Sequence, residues 1–166
     1  MLAISLILIG ILLRFLPHAP NFTPVAAIAL FGGVYLRKRY AVILPLALMM
    51  ISDVFIGMHN VVLFTWGGFV LTALMGFTLR KHKTILGTAS MSLASSVLFY
   101  FVSNFGVWFM GWYPPTPKGL LDCYIMALPF LRNFTIATVI YSAVFFGAYE
   151  LIAAWVRNKK LAKVLL

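Results

Sequence analysis

The chain has 166 residues, of which 63% are hydrophobic and 10% are charged, and its net charge is +10. Ordinary domains carry about 25% charged residues, so this composition excludes a soluble globular domain, a disordered chain and a collagen-like scaffold. A single cysteine excludes a disulfide framework and a thiolate metal cluster. The composition therefore predicts one integral membrane domain over residues 1–166.

Charges and turn residues divide the chain into six apolar stretches, which are 2–16, 22–36, 40–58, 61–79, 84–117 and 124–156. A helix needs about 20 residues to cross roughly 30 Å of hydrocarbon, and the third, fourth and fifth stretches reach that length. The first two stretches are short, and we expect them to meet near the outer surface. The sixth is too long for one perpendicular helix, so the prolines of residues 114–117 predict a surface segment before its membrane part.

Lipid permits only helices or closed β-barrels, and barrel strands alternate apolar and polar residues. The run AVILPLALMM at residues 41–50 shows no alternation. The predicted fold is therefore all-α, a polytopic six-helix bundle. The first stretch lacks a basic start and a cleavage site, so we expect a retained helix rather than a signal peptide.

Ten of the thirteen Lys and Arg residues lie in three clusters that follow the second, fourth and sixth stretches. The clusters consist of Arg37, Lys38 and Arg39; Arg80, Lys81 and Lys83; and Arg157, Lys159, Lys160 and Lys163. Basic residues in short loops mark the cytoplasmic side, so both termini are predicted to be cytoplasmic. The positive charge is thus interpreted as a topology signal and as a contact with the lipid bilayer, and no nucleic-acid partner is expected.

Uncommon polar residues gather at the predicted outer ends of the stretches. The candidate substrate-binding residues are Arg14, His18, Asn21, Asp53, His59, Asn104, Trp108, Arg132 and Asn133. An ionisable group inside a membrane costs about 2.5–3.5 kcal/mol on insertion scales unless it pairs or faces a water-filled cavity. Asp53 has Arg14 and Arg132 as candidate partners. We therefore predict a polar cavity that opens to the outside and is closed toward the cytoplasm.

Simpler roles remain open for several of these residues. Arg14 is equally compatible with snorkelling to the outer headgroups, and Trp108 with an interfacial aromatic belt. His18 is also compatible with a role in a turn, and Asn104 with a role in capping or bridging helices. If the cavity does hold Arg14 and Arg132 against one aspartate, the excess positive charge favours an anionic solute.

Four segments carry a family resemblance: RFLPHAPNFTPVAAIALFGG at residues 14–33, ISDVFIG at 51–57, SNFGVW at 103–108 and PFLRN at 129–133. They resemble signatures of an uncharacterised bacterial six-helix membrane family regarded as transport proteins. The layout also resembles the S components of energy-coupling factor (ECF) vitamin transporters. S components are six-helix, substrate-binding proteins with both ends inside.

The resemblance to S components implies a vitamin or micronutrient substrate bound near the outer face, with residues 17–23 as part of a lid. It implies substrate contacts at Asn104, Trp108, Arg132 and Asn133. It also implies a coupling transmembrane subunit and two ATPases as partners, and the sequence itself has no nucleotide-binding motif.

Two features of S components are missing. The Ala-x-x-x-Ala docking motif of the first helix is replaced here by Ala3 followed by Ile7. The histidine that follows the initiator methionine in nickel and cobalt members is replaced by Leu2. We therefore expect no metal transport by that route, and no bound metal or other cofactor.

The leading prediction is a small-molecule uptake protein, or a substrate-binding membrane subunit, in the cell membrane. One alternative is an intramembrane enzyme that uses the outer acids, histidines and cysteine, which are His18, Asp53, His59, Asp122 and Cys123. No zinc-helix motif, nucleophile elbow, phosphate loop or paired-cysteine motif supports catalysis. The other alternative is a structural or assembly subunit that docks through its basic face.

Overall fold

The computed structural model describes residues 1–17, 19–81 and 83–157, and all regular structure in this part of the chain is helical. The helices are α1 (Leu2–Leu13), α2 (Val25–Tyr35), α3 (Lys38–Ile56), α4 (Val62–Leu79), α5 (Ile85–Phe109), α6 (Pro117–Met126) and α7 (Leu128–Val156). Only Ala127 separates α6 from α7, so the described chain forms six helical units. The prediction of an all-α, six-helix protein is confirmed.

Four of these units are long and apolar enough to cross a membrane, namely α3, α4, α5 and the combined α6–α7. Helices α1 and α2 have 12 and 11 residues, which correspond to about 18 and 16 Å at about 1.5 Å per residue. Neither reaches across the hydrocarbon alone, in agreement with the short first two stretches.

The surface segment predicted before the last crossing is α6. Its first turn is capped by Thr116, whose side-chain oxygen accepts a hydrogen bond from the Gly119 amide at 3.0 Å. Pro117 occupies the first helical turn, where its missing N–H costs no hydrogen bond. The preceding helix ends earlier than the apolar stretch does, at Phe109, because Gly111 turns the chain with φ +83°.

Helix α2 is the centre of the bundle. Every residue from Val25 to Val34 is buried, and α1, α3, α4, α5 and α7 all contact the helix. A helix that is apolar on all sides is suited to such an enclosed position. A short helix can lie at membrane depth here because protein, rather than lipid, surrounds its ends.

Helices α2 and α4 pack backbone to backbone at Gly33 and Gly76. A Cβ atom on Gly33 would lie 2.3 Å from the carbonyl oxygen of Ala73 and 2.8 Å from the Cα atom of Gly76. Gly68, Thr72 and Gly76, which share one face of α4, are all buried. Small residues allow this close approach, which in lipid replaces the hydrophobic effect as the source of helix association.

Contacts between helix ends bring Tyr35, Lys83 and Glu150 together at one end of the bundle, which we call the basic end. The Tyr35 hydroxyl at the end of α2 donates to Glu150 Oε1 in α7 at 2.6 Å, and Lys83, just before α5, lies over the Tyr35 ring. Gly10 of α1 packs on Ile28 of α2, in an antiparallel arrangement that places Met1 at the same end. Both ends of the described chain therefore lie at the basic end, and its cytoplasmic location stays a prediction. The predicted cluster members Lys159, Lys160 and Lys163 lie outside the described residues.

Arg80 closes the C-terminal end of α2 from the neighbouring helix. Its Nε donates to the Gly33 carbonyl at 2.6 Å and its Nη2 to the Leu36 carbonyl at 2.5 Å. Carbonyls at a helix C-terminus lack intrahelical partners and carry partial negative charge. The Arg80 guanidinium gives these carbonyls hydrogen-bond donors and places a positive charge beside their partial negative charge.

We expect Arg80→Leu to lower the free energy of unfolding by about 1.5–3 kcal/mol, the usual contribution of a hydrogen bond to a charged group. Arg80→Lys should lose part of this, since an ammonium cannot reproduce the planar fork. The control is Lys81→Leu at the exposed next position, expected to change stability by less than about 0.5 kcal/mol. Equal losses for Arg80→Leu and Lys81→Leu in detergent unfolding would contradict the capping role.

Candidate functional site

A cavity of about 530 Å³ lies between the α3–α4 loop, α4, α5 and α6–α7, at the end of the bundle opposite the basic end. We call this the polar end. Most of its wall is aromatic or aliphatic. Its polar lining residues are Asn21, His59, Asn60, Thr65, Tyr100, Ser103, Asn104, Tyr113 and Cys123. The arrangement is that of a small-molecule site, an apolar cleft with a few placed polar groups.

One face of α5 forms a wall of the cavity. Tyr100, Ser103, Asn104 and Val107 all line the cavity, and their spacing of three and four residues places them on the same side of a helix. The Tyr100 hydroxyl donates to the Tyr124 carbonyl at 2.5 Å. This bond fixes α6 against α5 and holds the cavity wall together.

Three phenylalanines are stacked in a row, and two of them, Phe99 and Phe134, line the cavity as its apolar floor. The Phe99 ring lies 4.6 Å from the Phe69 ring in α4 and 4.6 Å from the Phe134 ring in α7, measured between centroids. The interplanar angles of 21° and 26° make both contacts stacked. Since the three rings come from three helices, the stack fixes the distance between the walls.

Two asparagine amides in the lining have defined orientations. Asn104 Nδ2 donates to the Tyr100 carbonyl at 2.8 Å, and Asn60 Oδ1 accepts from Trp112 Nε1 at 3.3 Å. A carbonyl can only accept and an indole N–H can only donate, so these bonds decide which way each amide points. These bonds leave Asn104 with its acceptor Oδ1 and one N–H, and leave Asn60 with both N–H groups of Nδ2.

The structure brings three of the nine predicted site residues to the cavity, namely Asn21, His59 and Asn104. Asn21 has φ +59°, a left-handed conformation that asparagine tolerates in a tight turn. His59 is exposed in the loop between α3 and α4. A fourth predicted residue, His18, lies outside the described residues.

Three other predicted residues stand beside the cavity rather than in its lining. Trp108 Nε1 donates to the Pro114 carbonyl at 3.0 Å and so fixes the turn before α6. Asn133 Nδ2 donates to the Pro20 carbonyl at 3.2 Å and ties α7 to the loop before α2. Arg132 is exposed and forms no ion pair within the described part of the chain.

The last two predicted residues, Arg14 and Asp53, form an ion pair separate from the cavity. Arg14 Nη2 lies 2.7 Å from Asp53 Oδ1, and Trp66 Nε1 donates to Asp53 Oδ2 at 2.8 Å. Arg14 Nη1 also donates to Ser52 Oγ. The predicted pairing with Arg14 is confirmed, while Arg132 takes no part. Because protein groups occupy both carboxylate oxygens, this cluster ties α1, α3 and α4 together.

Sequence reasoning missed several residues of these two sites. Helical spacing from Asn104 could have found Tyr100, which lies one turn before it, and Val107, which lies one turn after it. Trp66 sits near the outer end of a stretch without charged residues, where an indole N–H needs an acceptor. Phe99 gave no signal, since aromatic residues make up 16% of the chain.

Metal binding finds no support in the described residues. No group of three or more His, Cys, Asp or Glu side chains lies close enough there to hold a metal ion. Of the candidates for an enzyme, His59 and Cys123 line the cavity, and Cys123 is buried with its thiol directed to the Asn104 carbonyl at 3.4 Å.

Comparison with known proteins identifies a family but no characterised relative. The chain belongs to a family of unknown function, DUF6580, whose family model matches residues 1–161. No curated protein and no solved structure matches the chain significantly.

Proposed function

We propose that this member of a family of unknown function binds a small molecule at the outer side of the cell membrane and serves in its uptake. The cavity of about 530 Å³ carries the proposal. Its volume falls within the range of roughly 300–1,000 Å³ that is typical of ligand sites, and its lining combines apolar walls with a few polar groups.

The position of the cavity supports uptake from outside. The cavity lies at the polar end, away from the exposed basic residues Arg37, Lys38 and Arg39, which favour the cytoplasmic side. Beneath it, the phenylalanine stack and the buried helix α2 separate it from the basic end. A bound solute would therefore need a helix rearrangement to reach the cytoplasm.

We propose that partner subunits drive this rearrangement. The sequence carries no nucleotide-binding motif, so ATP-driven uptake requires separate ATPases and a coupling transmembrane subunit, as the resemblance to S components implies. The exposed basic end offers these partners a cytoplasmic docking surface. Co-purification from the native host tests this part of the proposal: ATPase subunits are expected with the chain, and a chain that purifies alone would contradict it.

Ligand binding itself is tested by a thermal-shift screen of the purified protein against small organic nutrients. A ligand at about 100 times its Kd stabilises a protein by about 2.7 kcal/mol, which gives a measurable rise in Tm. We expect Ser103→Phe, which fills the cavity, to abolish the rise. Ser90→Phe at an exposed position of the same helix is the matched control and should keep it. A rise that survives in Ser103→Phe, or no rise with any compound, would contradict the proposal.

A further inference from the structure

We infer that the cavity selects an uncharged, ring-containing molecule that presents a hydrogen-bond donor beside an acceptor, as a lactam or a primary carboxamide does. The inference rests on the proposed function and specifies the ligand class of that same site. Three features of the lining carry it: the absence of fixed charge, two oriented asparagine amides and an aromatic floor.

The lining described by the structure contains no Lys, Arg, Asp or Glu side chain. The two arginines predicted to supply a counter-charge do not line the cavity, because Arg14 is paired with Asp53 and Arg132 lies outside the lining. A charged ligand would lose its hydration here without gaining an opposite charge, which makes burial unfavourable. His59, the only histidine in the described lining, is exposed to solvent in a loop.

The two asparagines supply an acceptor and donors to an amide ligand. Asn104 donates one Nδ2 hydrogen to the Tyr100 carbonyl and is left with the acceptor Oδ1 and a second N–H. Asn60 uses its Oδ1 on the Trp112 indole and is left with the donor Nδ2. A ligand edge with one N–H and one C=O gives a hydrogen to the Asn104 oxygen and accepts one from an asparagine N–H, whereas a carboxylate has no hydrogen to give to the Asn104 oxygen.

The apolar part of the cavity fits a ring. Phe99 and Phe134, stacked on each other, line it together with Phe130 and Leu131. Aromatic side chains bind rings through offset or edge-to-face contacts and require no charge on the ligand. Since Phe99 and Phe134 are already fixed by their stacking, they lose little side-chain conformational entropy when a ring binds.

Matched pairs of probes test the inference on the purified full-length chain in lipid nanodiscs. The pairs are 1-naphthamide with 1-naphthoate and benzamide with benzoate, which differ only in the amide and the carboxylate. Isothermal titration at pH 7 is expected to show each bound amide at least about tenfold tighter than its carboxylate, since one unmatched buried polar contact has that effect.

Substitutions in the lining show which residues produce the preference for amides over carboxylates. Asn104→Leu and Asn60→Leu should each bring the ratio of the carboxylate Kd to the amide Kd closer to one. Asn60 lies in an exposed loop, where substitution does not threaten folding. Ser90→Leu is the control, because Ser90 is an exposed residue of α5 that lies outside the lining. Its amide preference should match that of the unmodified chain.

The outcomes separate the inference from the proposed function. Equal or tighter binding of the carboxylates would overturn the inference and leave a small-molecule site standing. An amide preference that persists in both Asn104→Leu and Asn60→Leu would overturn it as well. If neither member of either pair binds, the inference fails, and the proposed function is decided separately by the thermal-shift screen.

Discussion

Arg14→Met is expected to lower the free energy of unfolding by about 3–5 kcal/mol, because it leaves one member of a buried ion pair without its partner. The Asp53 side chain is only 4% exposed and would keep the Trp66 indole as its remaining donor. The measurement is denaturant or thermal unfolding in detergent micelles, followed by tryptophan fluorescence.

Substitution of Asp53 should lower the free energy of unfolding less than substitution of Arg14 does. The Arg14 side chain is 15% exposed and can turn toward headgroups or water when Asp53→Asn removes the charge. Combining Arg14→Met with Asp53→Asn removes both charges and should restore part of the loss. A double variant as unstable as the sum of the two single variants would contradict the ion pair as the source of the effect.

Gly33→Ala is expected to destabilise the protein by about 1–3 kcal/mol, since an added methyl group must push two helix backbones apart. The clash is with backbone atoms of Ala73 and Gly76, which cannot rotate away as a side chain would. Gly76→Ala should act in the same way, because its Cβ atom would lie 2.6 Å from the Leu30 carbonyl oxygen. Thermal unfolding measures both.

Gly67→Ala is the control on the same helix as Gly76. No atom lies within 4 Å of its added Cβ atom, and alanine favours a helix over glycine by up to about 1 kcal/mol. Its Tm should therefore stay unchanged or rise. A drop in Tm as large as that of Gly33→Ala would show that glycine itself, rather than close packing of α2 on α4, is required.

The sequence predicted the helices well where hydropathy and charge agree. The stretch 61–79 corresponds to α4 at Val62–Leu79, because a charged residue or a turn bounds it on each side. The prolines of residues 114–117 predicted the segment that became α6. Local chemistry determines such boundaries, so a single sequence is sufficient to find them.

The central position of α2 could not be predicted from hydropathy. Lipid tails are as apolar as leucine, so an apolar helix has the same sequence whether it faces lipid or protein. The small residues Ala26, Ala27 and Ala29 are compatible with either position. Packing against five neighbours, which places α2 inside, depends on contacts between distant parts of the chain.

Only part of the candidate site could be predicted, because tertiary packing decides which residues face the cavity. Asn104 and His59 could be found because they are polar residues at the outer ends of apolar stretches, and both line the cavity. Arg132 satisfies the same criterion and is exposed, whereas its neighbour Leu131 lines the cavity. A rotation of about 100° per residue separates the two positions, and tertiary packing decides which one faces inward.

The side of the membrane on which the cavity opens is tested by labelling single cysteines in intact cells. In a Cys123→Ser background, Asn60→Cys places a thiol at the cavity and Lys83→Cys places one at the basic end, both at exposed positions. A membrane-impermeant maleimide is predicted to modify Asn60→Cys from outside and to modify Lys83→Cys only after permeabilisation. Labelling of Lys83→Cys in intact cells, with Asn60→Cys protected, would contradict an outward-facing cavity.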